Sequence, residues 1–86
     1  MYWVVFTTET AGEREALIPE RRELLDRGPA ILAKNPTNGA ASAPYRDDPH
    51  VRFGQVAPGM GIIYDIIDDL VIVIVVRILD ESFADA

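Results

Sequence analysis

Few residues in this chain have side chains able to do chemistry. Arg52 and Arg77 stand in largely apolar stretches of the C-terminal half, and guanidinium groups bind phosphate through paired, charge-assisted hydrogen bonds. Together they would form a small anion site. Without that role, Arg77 reads as a strand-end side chain reaching for water and Arg52 as a solvated strand residue. His50 is the single histidine, and imidazole titrates near neutrality. Asp47, Asp48 and Pro49 precede it and no nucleophile is spaced to work with it, so it reads as a surface histidine. Asp65, Asp68 and Asp69 invite comparison with a divalent-ion cluster. In an extended strand, however, Asp65 and Asp68 do not share a face, and acids are ordinary turn residues. The glycines of "APGMG" lack the Lys-Ser/Thr of a phosphate loop and precede a strand instead of a helix. The sequence carries no metal or cofactor motif, and none is expected.

Composition narrows the partners. At 86 residues the chain is read as one domain, residues 1–86, of a size that buries only about 60% of its unfolded surface. Eight Lys and Arg against fourteen Asp and Glu give a net charge of −6, which opposes non-specific attraction to nucleic acid and anionic lipid. With no cysteine there is neither a disulfide framework nor a thiolate metal site. The run "GMGIIYDIIDDLVIVIVVRIL" is long and apolar enough to raise a membrane span. Asp68 and Asp69 would then lie mid-segment at about 2.5 to 3.5 kcal/mol each, so a soluble hairpin is the better reading. The opening "MYWVVFTTE" makes a poor secretory signal, and the expected location is cytoplasmic.

The elements that must position these residues follow from patterning. Tyr2 to Phe6 is a strand, and Thr8 or Thr10 caps a helix running to Ile18. Pro19 opens a second helical piece through "ERRELLDRGPAILAKN", in which Gly28-Pro29 predicts a kink or two short helices. Asn35 to Pro49 is loop by composition, and His50 to Val56 is a short strand. An Ile/Val hairpin then turns at Asp68-Asp69, and the acidic tail begins at Asp80. A two-residue turn pairs Ile67 with Leu70, Tyr64 with Val73 and Ile62 with Val75. One face then carries Ile63, Ile67, Leu70, Ile72, Ile74 and Val76 with Asp65. The other carries Ile62, Tyr64, Ile66, Val71, Val73 and Val75, with Arg77 at its end. Both faces are apolar, so helices cover one and another chain is expected on the other, giving a homodimer.

This order of elements, the Asn35-Pro36 step after the helices and the pattern at Gly59, Ile62, Ile63, Tyr64, Ile66, Ile67, Asp68 and Asp69 resemble the RelE/ParE superfamily of type II toxin–antitoxin modules. The resemblance covers nearly the whole chain. It implies an α+β fold: an N-terminal strand, a helical hairpin, then a three-stranded antiparallel meander forming one small sheet packed on the helices. It also implies an antitoxin as partner, wrapping the toxin with an extended segment and a helix, and a ribosome or gyrase as target. The family's ribosome-dependent ribonucleases cut messenger RNA without metal, using cations on the sheet to stabilise charge on the scissile phosphate. Here Gly61 stands where the motif places an arginine, Asp80 and Glu81 stand where a basic residue often follows the last strand, and the tail Phe83-Ala84-Asp85-Ala86 has neither Tyr nor His. Arg52 and Arg77 are the remaining candidates for catalytic residues. The expectation is a toxin-like component that binds an antitoxin or itself with a depleted nuclease site. A RelE-like endoribonuclease and a gyrase-inhibiting ParE-like toxin are the alternatives.

Overall fold

The computed structural model describes residues 2–37 and 42–81. The middle of the expected loop and the tail from Ser82 lie outside the described residues. The chain opens with β1 (Trp3–Phe6), followed by α1 (Thr8–Ala16) and α2 (Pro19–Leu32). The residue that caps α1 is Thr7, one position before Thr8 and three before Thr10, the two expected caps. Its hydroxyl accepts the Thr10 N–H at 3.1 Å, and Glu9 adds a carboxylate to the positive first turn. Thr10 is instead buried, donating its own hydroxyl to the Val75 carbonyl at 2.9 Å and tying α1 to the sheet.

Contrary to the expected interruption, α2 runs through Gly28-Pro29 as one helix. Pro29 falls in the last turn. Its ring ordinarily clashes with the Cβ of the preceding residue, and Gly28 has none. The missing Cβ serves packing as well, because a methyl group there would collide with Val56 on the sheet.

The sheet has five strands: β1, β2 (Ser42–Tyr45), β3 (Asp48–Ala57), β4 (Met60–Ile67) and β5 (Ile72–Asp80), in the order β1-β5-β4-β3-β2. β1 runs parallel to β5, and the other pairs are antiparallel. The fold is therefore α+β as expected, with one more strand, because β2 lies inside the segment read as loop. The hairpin turn is also longer than expected. Asp68–Leu70 form a 3₁₀ turn and Val71 adopts a left-handed conformation at φ 53°, so Ile67 pairs with Ile72 and Ile66 with Val73. Tyr64 consequently faces Val75 instead of Val73.

The register moves by two residues, an even number, so the faces survive up to Val75. Ile62, Tyr64, Ile66, Val73 and Val75 turn toward the helices and meet Leu17, Leu25 and Leu32 in the core. Each such side chain, fully buried, contributes about 1.5 to 3 kcal/mol. A bulge at Val76 then reverses the alternation. Ile78 and Asp80 turn inward, and Arg77 turns outward, opposite to the face the simple alternation gave it. The Asp80 carboxylate is buried and paired with Arg21 of α2 at 3.2 Å, so it closes the core instead of opening an acidic tail. Among the described residues no helix is long and apolar enough to cross a membrane.

Candidate functional site

Among the described residues, no helix or strand packs over the side of the sheet away from the helices. Strand alternation places Trp3 and Val5 of β1, Ile72 and Ile74 of β5, Gly61, Ile63 and Ile67 of β4, and Phe53 of β3 on it. Trp3 is 75% exposed and Val5 42%, against a core whose members are nearly all sealed. Phe53 is the cross-strand neighbour of Ile63, and its ring lies over Gly61 on the next pair. A Cβ at Gly61 would come within 2.6 Å of that ring. An aromatic ring thus fills the place that a longer side chain at Gly61 would occupy. Ile63 lies between Phe53 and Arg77 and is almost fully buried despite facing outward.

The two arginines do not converge. Arg52 pairs with Tyr64 and so faces the helices, where it is 8% exposed. Its Nε donates to the Ser42 hydroxyl at 2.9 Å and its Nη2 to the Ser42 carbonyl at 3.1 Å. Beside it the Tyr64 hydroxyl donates to the Pro36 carbonyl at 2.6 Å. This polar cluster fastens the start of β2 to the end of the segment that leaves α2. Arg77 pairs with Ile63 on the opposite face of the sheet and is exposed. A phosphate held by both would have to pass through the sheet. Among the described strand residues these are the only Lys or Arg, so the outer face presents Arg77 as its sole strand cation.

An open cleft of about 440 Å³ lies at the turn end of the sheet, lined by Asp48, His50, Asp65, Ile66, Ile67, Asp68 and Asp69. Distant sequence positions meet here because β3 begins beside the turn that ends β4. Asp48 accepts the His50 backbone N–H at 2.9 Å, and Asp68 accepts the Tyr2 hydroxyl at 2.6 Å. The bond to Asp68 favours the protonated phenol and raises the Tyr2 pKa, with burial and the carboxylate charge adding to it. Four carboxylates repel phosphate. Among the described residues no group of three His, Asp or Glu side chains is arranged to hold a metal ion.

On the helices, Arg14 reaches across to Asp26 with two bonds of 2.7 Å. That pairing holds the Asp26 carboxyl below its ordinary range and raises Arg14. Such ion pairs neutralise the helical surface and leave it no strong basic patch.

Compared by sequence, the chain matches no protein-family model and no curated relative. Compared by structure, it superimposes on the isolated E. coli RelE toxin with a TM-score of 0.78, over 99% of this chain and 94% of that one. The fold is that of the RelE toxins. Sequence identity to E. coli RelE is 21%. The intact E. coli RelBE toxin–antitoxin complex matches at a TM-score of 0.77 and 22% identity, covering 93% of this chain and 96% of that one. The RelBE2 toxin–antitoxin complex from Mycobacterium tuberculosis matches at 0.80 and 20% identity, covering 93% and 98%. The likeness to RelE extends over helices and sheet alike.

Proposed function

We propose that this chain is the toxin-like component of a type II toxin–antitoxin module, acting in the cytoplasm by binding an antitoxin protein, with the RNA-cutting site of the RelE fold depleted. The observation that carries the reading is the outer sheet face. Cleavage of a phosphodiester needs preorganised cations where charge develops, and a single missing donor of this kind costs on the order of 10²- to 10³-fold in rate. Here Arg77 stands alone on its face, Arg52 is engaged with Ser42 behind the sheet, and Phe53 covers Gly61. An apolar face with one strand cation, Arg77, and one strand carboxylate, Asp65, matches the interior of a protein–protein interface, where charged residues are scarce and aromatic ones abundant.

The test is a reconstituted translating-ribosome assay with purified protein, run beside co-expression with the product of the adjacent reading frame. No codon-specific cuts and a stoichiometric complex with that product are the expected results. Cuts made by the wild type and lost in Arg77→Ala would overturn the binding reading in favour of an endoribonuclease.

A further inference from the structure

We infer that β1 is a self-association strand: two copies of this chain join edge to edge, antiparallel, about a twofold axis at Val5, and extend the two sheets into one. The hydrogen-bond phase of the strand leads to this arrangement. Trp3 N–H donates to the Val71 carbonyl at 2.9 Å and Thr7 N–H to that of Val75 at 3.4 Å, so the odd-numbered residues of β1 bond inward to β5. The backbone groups of Val4 and Phe6 therefore point away from the sheet, at its edge. The N–H of Tyr2, in the same phase, is already taken by the Ala33 carbonyl at 3.0 Å, so the open part of the edge is Val4 to Phe6. A twofold axis at Val5 sets Val4 of one copy against Phe6 of the other, and all four N–H and all four C=O groups of those residues find partners. A strand that satisfies itself in this way needs no other sequence to complete it.

The opposite edge is built differently. β2 contains Pro44, shifts register between Pro44 and Tyr45, and turns at Arg46 in a left-handed conformation, all features that blunt an edge against pairing. β1 has no proline, bulge or charge. Although the chain carries a net charge of −6, residues 2–8 include no ionisable group of either sign except the Tyr2 phenol. The nearest carboxylates flank the strand without standing on it: Asp68, bonded to Tyr2, and Glu9 in the first turn of α1. The side chains fit as well. Val5 meets its own copy across the axis, and exposed Trp3 lies diagonal to the partner's Val5, a pairing of aromatic and β-branched groups that stabilises antiparallel strands. The Trp3–Val71 bond also brings exposed Leu70 and Val71 alongside, lengthening the apolar patch. A four-residue strand makes a small interface, below about 1,200 Å², so the dimer is concentration-dependent. It requires no antitoxin and stands whether or not the toxin reading does.

The chain's lack of cysteine provides a direct test. Val5→Cys places two thiols in a non-hydrogen-bonded antiparallel pair, about 4.5 Å apart at Cα, within reach of a disulfide. Under mild oxidation Val5→Cys should cross-link nearly completely at concentrations where sedimentation shows wild-type dimer. Gln55→Cys, exposed on β3 across the sheet, should not cross-link. Val5→Lys should shift sedimentation to monomer, weakening the dimer at least tenfold, while its circular dichroism and thermal unfolding match the wild type. A wild type that remains monomeric at millimolar concentration overturns the inference. So does a dimer that Val5→Lys leaves intact, or one in which Gln55→Cys cross-links and Val5→Cys does not.

Discussion

Arg52 shows how far a side chain's meaning depends on the face it occupies. As a residue type it belongs to phosphate chemistry, but its register partner is Tyr64, and it spends its donors on Ser42. Arg52→Ala should therefore act on stability. Loss of buried, charge-assisted hydrogen bonds predicts a decrease of about 2 kcal/mol, read as a lower denaturation midpoint at unchanged slope. Asp26 makes a second prediction, this one in pH. Its folded carboxyl titrates below the ordinary value of 3.8 because Arg14 bonds it, so the folded state holds this proton less readily than the unfolded chain. The stabilisation is complete above the ordinary value and fades as pH falls through the lower, folded one. Asp26→Asn should cost about 0.5 kcal/mol at neutral pH, as befits a half-exposed pair, and the difference from wild type should vanish in the acid limb of a pH–stability curve.

At the scale of elements, α2 and β3 meet without a side chain between Gly28 and Val56. Gly28→Ala would gain up to about 1 kcal/mol of helix propensity, yet the added methyl collides with a β-branched side chain fixed on the sheet. Overpacking of this kind costs about 1 to 3 kcal/mol, so the substitution should lower the melting temperature. The helices, the first strand, the Ile/Val hairpin and the core face were legible because periodicity of 3.6 or 2 survives any even slip in register. The pairing was not, since nothing in Asp68-Asp69-Leu70-Val71 announces a β-branched residue in a left-handed conformation. β2 was hidden by Pro44, which a central strand excludes and an edge strand tolerates. For the candidate site, the absence of a cation at Gly61 was legible only through the resemblance to the RelE/ParE superfamily, whose motif has an arginine there. The separation of Arg52 from Arg77 depended on a one-residue bulge at Val76, for which alternation has no signal.

For the molecule as a whole, charge and shape work against each other. Two chains of −6 repel, while the exposed apolar side chains of β1, a strand without charged residues of its own, draw them together. Association through β1 should accordingly strengthen with salt. Raising ionic strength from about 0.01 to 0.15 M shortens the screening length from about 30 to 8 Å and should tighten the dimer several-fold by sedimentation, the reverse of a complex held by ion pairs. The parallel pairing of β1 with β5 also governs when that surface can exist. Trp3 to Phe6 are synthesised well before Ile72 to Val75, so the opening strand can pack on the helices but has no sheet partner until β5 has emerged. Contacts so distant in sequence close slowly. During synthesis the helices can form early, but the apolar strand Trp-Val-Val-Phe remains unpaired beside them. The domain is thus most vulnerable to aggregation or to capture by a chaperone while β5 is still emerging, because only β5 can close the edge that β1 leaves open until then.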